Sequence, residues 1–391
     1  MFKFMSKEFY TGSLSKKGDV GKVPGEKYTG NITKKGDAGD VSGKVYTGSI
    51  PKRYKAAFVI LPIICFFICL CLGRMSISPG EVLSSILGRL GSFGKLLSDA
   101  GIGTEAANAQ VDTVIWSIRI PRLVLAAFVG MGLSVSGCAF QSLFSNPLAT
   151  PDTLSVASGA SFGAALAMLL GARMIGVQVT ALAFGLIAVM LTSLSGRGIG
   201  NSKNTPILAG IMIGSLFSAL VSFIKFTADT ESQLPAITYW LMGSMEGASL
   251  ESLLLGAPPL IICTVIILLL RWRMNLLPLS DDEAVSSGVN LRLLRTVIEL
   301  CATVITASCV SMCGQVGWVG LLVPHICRMK FGSNHVTLLP ASVSIGAVFM
   351  MLVDMAARTI SPKEIPVSVI TAVIGAPFFI YLLRRKGGWN L

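Results

Sequence analysis

Charged residues and histidine are both scarce in this chain of 391 residues. Asp, Glu, Lys and Arg make up 13% of it, whereas a soluble domain carries about 25%. So little charge excludes an ordinary water-soluble domain. The two histidines, His325 and His335, are ten residues apart, and no pair of cysteines has metal-ligand spacing to them. The sequence therefore predicts no metal site and no cofactor.

The sequence also lacks a Walker A motif for binding a nucleoside triphosphate. The nearest stretches, "GSFGKLL" at 91–97 and "GRGIGNSKN" at 196–204, lack the spacing that lets a loop hold phosphates. We therefore expect no ATPase site and no enzyme activity. Asp354 is the only acid well inside an apolar run, and Arg358 follows four residues later. An ion pair within one helix explains both residues, so there is no sign of a proton relay.

Long apolar runs fill most of the chain beyond residue 55. Hydrophobic residues make up 52% of the sequence, and its mean hydropathy is +0.72. Because about 20 apolar residues span a bilayer, the runs predict an all-α polytopic membrane protein with about ten transmembrane helices. The predicted spans are 56–73, 123–143, 153–171, 174–195, 205–224, 251–270, 296–313, 314–330, 336–355 and 365–383.

Glycine and cysteine inside these runs have a structural interpretation. Gly130, Gly132 and Gly137 share one run, and Gly159 and Gly163 share another. Small residues let helices approach closely in a membrane. The nine cysteines lie in or at the ends of apolar runs, which predicts small buried hydrophobes and no disulfide framework.

Residues 1–55 differ from the membrane domain predicted for 56–391. They hold twelve Lys/Arg against five Asp/Glu, and a "YTG" unit recurs with a period of 18 residues at Tyr10, Tyr28 and Tyr46. Each unit has too few apolar residues to form a core, which predicts a disordered, low-complexity basic tail. Two interpretations stay open: contact with anionic lipid, at about 1 kcal/mol per basic residue near the surface, or a solvated extension without a specific role.

The distribution of basic residues favours a cytoplasmic location for both termini. An even number of spans puts the termini on one side. With that side inside, 23 of the 32 Lys/Arg fall in cytoplasmic segments, in keeping with the positive-inside rule. Most of the excess comes from the tail.

The segment 276–290, "LLPLSDDEAVSSGVN", has the pattern of a short capped helix between two spans. Ser280 and Glu283 have capping-box spacing, and Gly288 is suited to end the helix. Such a helix could fit a groove of a partner protein or be a plain amphipathic connector.

Seven motifs follow one another at compatible distances. They are "RIPR" at 119–122, "SGCAFQSLFSNPLATPDTLSVASGA" at 136–160, "YWLMGS" at 239–244, "LSDDEAVSSGVN" at 279–290, "GQVGWVGLLVPHICR" at 314–328, "DMAAR" at 354–358 and "EIPVSVITAVIGAPFF" at 364–379. In this order they resemble the FecCD-type permeases, the membrane subunits of bacterial ABC importers for iron–siderophore, haem and cobalamin. The resemblance covers about residues 56–386.

This resemblance implies a cobalamin-permease-like fold in the cytoplasmic (inner) membrane, working as a homodimer. Separate ATPase subunits would bind on the inside, and an extracytoplasmic solute-binding protein on the outside. No nucleic-acid partner is expected. An iron chelate is the leading cargo, with haem and cobalamin as alternatives. An ion-gradient-driven secondary transporter is a rival from another class, but it would need ionisable groups at mid-membrane.

The resemblance also assigns roles to residues. Arginines of the family receive acidic residues of the binding protein, which implies docking by Arg119, Arg122 and Arg358. The alternative is that arginines snorkel at the membrane edge, and Asp354 could occupy Arg358. The family's ATPase-coupling segment corresponds to Asp281, Asp282, Glu283, Ala284, Ser287 and Gly288.

A third group is expected at the inner gate and inner helix ends: Gln141, Asn146, Pro147, Pro324, His325 and Arg328. Helix-end chemistry alone could explain these residues, because a helix tends to stop before proline and basic groups favour a helix C-terminus. His325 and Arg328 are expected to place polar groups at the inner surface. Trp318 and Ser368 depart from the family pattern, and Trp318 is expected to alter local packing.

Overall fold

The computed structural model describes residues 52–89, 109–196, 205–278 and 288–384. Residues 1–51 of the predicted tail, and coupling residues 281–287, lie outside these ranges, whereas residues 52–55 form the first turn of a helix. The division into 1–55 and 56–391 therefore stays a prediction.

The described residues form helices joined by turns, without a strand. In chain order the helices are α1 (Lys52–Cys71), α2 (Pro79–Arg89), α3 (Ala109–Leu143), α4 (Val156–Leu169), α5 (Met174–Gly196), α6 (Thr205–Thr227), α7 (Gln233–Leu241), α8 (Leu250–Leu270), α9 (Leu291–Cys313), α10 (Val319–Phe331), α11 (His335–Thr359) and α12 (Val367–Arg384). Within α3, Val114–Arg119 is a π-helical segment. Short 3-10 helices cover Pro151–Leu154 and Arg273–Leu276.

The prediction of an all-α polytopic membrane protein is confirmed. Among the described helices, seven are long and apolar enough to cross a membrane by length and composition: α1, α3, α5, α6, α8, α9 and α11. Two shorter helices, α4 and α12, are also apolar. Together with the 13-residue α10, they coincide with the ten predicted spans.

The predicted span 314–330 begins too early. Gly314 and Trp318 have φ of 75° and 69°, a left-handed backbone that cannot continue an α-helix. As a result α10 begins only at Val319. Trp318 lies against Gly375 of α12, where an added Cβ would come 2.7 Å from the indole. The expectation that Trp318 alters local packing therefore has a physical basis in this contact.

Helix α3 is the centre of the bundle and packs against α8, α9, α10 and α11. The glycines of α3 allow this close packing of helices, as predicted from the sequence. A Cβ on Gly130 would collide with the carbonyl oxygen of Gly346 in α11, and one on Gly137 would collide with the backbone of Gly320 in α10. Backbone-to-backbone approach is how helices pack closely when lipid provides no hydrophobic drive.

All nine cysteines are free thiols, and seven of them are buried. The prediction of small buried hydrophobes without a disulfide framework is confirmed.

Candidate functional site

Two polar clusters lie at opposite ends of the bundle. The first, in the N-terminal half of α3 and at the end of α11, is called the arginine end and is defined by Arg119, Arg122 and Arg358. The second, at the start of α11, is called the histidine end and is defined by His335 and Asn275.

Arg122 is the hub of the arginine end. Its Nε donates to Asp354 Oδ1 of α11 at 2.7 Å, and its two terminal nitrogens donate to the two oxygens of Glu364 at 2.8 Å each. A bidentate fork of this kind is a strong, orientation-specific contact. Asp354 also forms an ion pair with Arg358, with 3.5 Å between Oδ2 and Nε. This confirms the predicted pairing of Asp354 with Arg358 and adds a second partner, Arg122, that the spacing did not indicate.

The other arginine contacts are with backbone carbonyls. Arg119 donates to the carbonyl oxygens of Leu70 and Met75. Arg358 donates to the carbonyl oxygen of Cys69 at 2.9 Å. These bonds fasten the end of α1 to α3 and α11.

The three predicted docking arginines are buried rather than exposed on a rim. Arg119, Arg122 and Arg358 are 3%, 7% and 8% exposed. Direct docking by arginine side chains would require exposed guanidinium groups, whereas these three pair with carboxylates and backbone carbonyls inside the chain. Their role in docking stays a prediction.

At the histidine end, one imidazole joins three segments. His335 Nδ1 lies 2.8 Å from Asn275 Oδ1, which also accepts from the His335 backbone N–H at 2.9 Å. His335 Nε2 contacts the hydroxyl of Ser142 near the end of α3. Asn275 Nδ2 donates to Asn334 Oδ1 at 3.1 Å, and Asn334 caps α11 by accepting from Val336 N. His335 is buried, at 6% exposed, and the two asparagines beside it are half-buried.

The predicted turn after α3 is present. The helix ends at Leu143, and Asn146 Oδ1 accepts from Leu148 N at 2.9 Å, which closes a turn around Pro147. Gln141 is buried and its Nε2 donates to the Gly320 carbonyl at 3.3 Å. These residues therefore act as helix-end and packing groups.

The placement of His325 differs from the expectation. Its side chain is 1% exposed and lies against Phe378 and Phe379 of α12, with ring centroids 6.3 and 5.6 Å away. The prediction that His325 presents a polar group at the surface is wrong, because an aromatic pocket between α10 and α12 takes up the ring. Pro324 is accommodated inside α10, and Arg328 is half-buried in its last turn.

Of the predicted coupling residues, only Gly288 is described. Its φ of 70° is the conformation expected of a glycine that ends a helix. Asn290 then caps α9 by accepting from Leu293 N at 3.1 Å. A groove of about 420 Å³ lies beside Gly288, between the end of α8 and the start of α9.

A cavity of about 300 Å³ opens near α7, where the "YWLMGS" motif lies. Tyr239 donates to Glu246 Oε2 at 2.8 Å in its wall. Burial raises the pKa of Tyr239, so the phenol stays a neutral donor. Three methionines, Met168, Met174 and Met312, make the rest of this wall largely apolar. Within the described residues no group of three or more His, Cys, Asp or Glu is placed to hold a metal ion.

Sequence reasoning missed Glu364, Asn275 and Ser142. Glu364 stands at the head of a quoted motif, but its partner Arg122 is 242 residues away. Asn275 and Asn334 are polar residues at the ends of apolar runs, which is the one signal that could have pointed to caps and inter-helix contacts.

The long apolar helices of the described residues define a polytopic membrane protein. The chain belongs to the FecCD transport family, whose model matches residues 60–385.

Named relatives carry different cargoes. The molybdate import system permease protein MolB of Haemophilus influenzae is 39% identical over 335 residues, which cover 85% of this chain and 96% of the relative. A probable iron chelatin transport system permease protein of Helicobacter pylori is 40% identical over 282 residues, covering 72% and 85%. A solved metal-chelate type ABC transporter in an inward-facing conformation is 36% identical, with a TM-score of 0.74, and covers 85% of this chain and 98% of that one.

Proposed function

We propose that this chain is the permease subunit of an ATP-driven importer whose cargo is an iron chelate of the siderophore type. The supporting observation is the family match over residues 60–385 together with the similarity to a metal-chelate type transporter. The chain itself has no nucleotide site in this proposal, and it binds no cofactor. It contributes a gated path, and a separate subunit hydrolyses ATP.

The proposed assembly is a homodimer in the cytoplasmic membrane, with two ATPase subunits on the inside and a solute-binding protein on the outside. Basic residues support this orientation. Five basic residues lie at or next to helix ends at the histidine end, as expected for a cytoplasmic surface: Arg271, Arg273, Arg292, Lys330 and Arg384. The histidine end is then inside, the arginine end outside, and the tail 1–55 cytoplasmic.

Docking is proposed at the arginine end. Because Arg119, Arg122 and Arg358 are buried, they would act indirectly: Arg122 would hold the loop between α11 and α12 in one shape through Glu364, and the other two would hold the end of α1 in place. Glu364 belongs to this loop, and its side chain is 18% exposed. The binding protein would then recognise the braced loop.

Coupling is proposed at Asp281, Asp282, Glu283, Ala284, Ser287 and Gly288. The inner gate would be shaped by Gln141, Asn146, Pro147, Pro324 and Arg328, together with the buried His325. The support is that the end of α3 and the start of α10 meet through the contact between Gln141 and Gly320.

Molybdate is the second candidate cargo, because MolB aligns with this chain over 96% of its own length. Haem and cobalamin remain alternatives from the resemblance. The deciding experiment incubates the cognate binding protein with radioactive ferric siderophore, molybdate, haemin and cobalamin, and measures which one it retains in equilibrium dialysis. Retention of the ferric siderophore alone is expected, and retention of molybdate instead would contradict the proposed assignment of the cargo.

The energy source needs its own test. Proteoliposomes that contain the chain, its ATPase and external binding protein should accumulate cargo only with internal ATP, whether or not an ion gradient is present. The control replaces ATP by a non-hydrolysable analogue. Uptake that continues under the analogue and stops when the gradient collapses would instead show the secondary transporter.

A further inference from the structure

Helices α3 and α11 are joined at three levels along their length. At the arginine end, Arg122 of α3 pairs with Asp354 of α11 at 2.7 Å. In the middle, the backbones touch where Gly130 faces Gly346, and a Cβ on Gly346 would also collide with Ser134. At the histidine end, Ser142 of α3 contacts His335 of α11. Two helices held at both ends, with backbones in contact between, have no room to slide past one another.

The hydrogen-bond pattern fixes how His335 makes its contacts. Asn275 Oδ1 accepts the His335 backbone N–H, so it is an acceptor toward Nδ1 as well, and Nδ1 must carry the proton. In the neutral ring Nε2 is then the acceptor for the hydroxyl of Ser142. That hydroxyl has an alternative on its own helix, the Cys138 carbonyl 3.0 Å away. Both ring nitrogens are therefore occupied, and the ring has no free nitrogen for a metal ion.

Asn275 ties this pair of helices to the segment that comes after it. Residue 279 is only four positions further along the chain, and the connection is itself anchored: Met274 is 0% and Leu277 is 1% exposed. The entry to the proposed coupling segment is therefore fixed to α11 through Asn275 and to α3 through the same imidazole.

We propose that α3 and α11 move as one rigid unit that links the coupling segment to the docking end, and that His335 is the positioning residue that fastens this unit to the entry of the segment. The inference rests on the proposed function, because it presumes an ATPase at the histidine end and a binding protein at the arginine end. Movement imposed at either end reaches the other through a pair of helices that cannot shear.

The consequence is a loss of signal transmission when the tie is cut, without loss of assembly. In Ser142→Ala the hydroxyl that reaches His335 is removed, and in Asn275→Ala the other side of the imidazole is freed. Ser142→Ala loses one hydrogen bond to His335, which corresponds to roughly a fivefold change in an equilibrium, and Asn275→Ala loses three hydrogen bonds, so its effect is at least as large. We expect the stimulation of ATP hydrolysis by added binding protein to fall by about that factor.

The experiment uses the full complex of chain and ATPase in proteoliposomes, with cargo-free binding protein as the probe. Basal ATP hydrolysis, copurification of the ATPase and stimulation by the binding protein are measured for each variant. Ser136→Ala is the matched control, because Ser136 is equally buried on α3 but its hydroxyl bonds only within its own helix, to Leu133 at 3.1 Å. Ser142→Thr keeps the hydroxyl and should restore stimulation.

The outcomes separate this inference from the proposed function. The rigid unit is supported if Ser142→Ala and Asn275→Ala lose the stimulation seen in the wild type, while Ser136→Ala and Ser142→Thr keep it. Full stimulation in Ser142→Ala and Asn275→Ala overturns it while leaving the importer intact. A wild-type chain that neither retains an ATPase nor responds to the binding protein contradicts the proposed function itself.

Discussion

Replacing Asp354 by alanine is the sharpest test of the cluster at the arginine end. The carboxylate is 0% exposed and lies between two arginines, Arg122 at 2.7 Å and Arg358 at 3.5 Å. Its removal leaves positive charge in the interior, and breaking a buried ion pair from one side costs about 3–5 kcal/mol. The cost comes from uncompensated burial of the remaining charges.

The remaining contacts place the expected loss at the lower end of that range. Arg122 keeps both oxygens of Glu364 at 2.8 Å, and Arg358 keeps the Cys69 carbonyl at 2.9 Å. We therefore expect Asp354→Ala to lower the free energy of unfolding by about 3 kcal/mol. Glu364→Gln keeps an acceptor at a partly exposed position and should cost about 1 kcal/mol.

The assay is reversible unfolding of the purified chain in mixed micelles of mild detergent and SDS, followed by circular dichroism. Glu251→Ala is the control, since Glu251 is an exposed acid in the first turn of α8 and should cost less than about 1 kcal/mol. If Asp354→Ala lowers the free energy of unfolding by less than about 1 kcal/mol, the value typical of surface ion pairs, the cluster does not stabilise the fold as a buried ion-pair network would.

Four further substitutions, one of them a matched control, test other parts of the chain. Gly137→Ala pushes a methyl group into the backbone of Gly320 and should destabilise the fold by about 1–3 kcal/mol. Gly88→Ala is its control, because the added methyl group meets no atom within 4 Å and should stabilise the helix by up to about 1 kcal/mol. The same SDS titration measures both variants. Ala284→Trp should leave the chain in the membrane but abolish ATP-dependent uptake, and normal uptake with the ATPase still bound would contradict the coupling assignment. Trp318→Gly removes the backbone strain of a positive φ, which should stabilise the fold by about 1 kcal/mol. It also removes a half-buried indole, so a net loss of stability of about 1–3 kcal/mol is expected in SDS unfolding.

The membrane helices can be predicted from the sequence because each is a long apolar run. Spans such as 174–195 and 205–224 lie within the observed α5 and α6. The exception at 314–318 is hidden from such a prediction because hydropathy does not report φ. The glycines of "GQVGW" are a signal of a helix end, but nothing in these residues indicates the positive φ that Trp318 adopts.

The polar clusters can be predicted only in part. Asp354 and Arg358 are four residues apart on one helix, so their spacing alone predicts the pairing. The contacts of Arg122 with Glu364, and of His335 with Ser142, join residues 242 and 193 positions apart. Such contacts depend on which helices become neighbours, and periodicity within one helix has no information about that. For the same reason His325 is expected at a surface and lies in an aromatic pocket.

The π-helical turn Val114–Arg119 gives α3 a tolerance to change in length. A π-turn is longer than an α-turn by one residue, so a deletion of one residue there can be absorbed by converting the turn to α-helix. Deletions further along α3 would rotate the remainder of the helix by about 100° and turn Gly130 and Gly137 away from their partners. A deletion of one residue just ahead of Arg122 can therefore leave the register of the rest of the central helix unchanged.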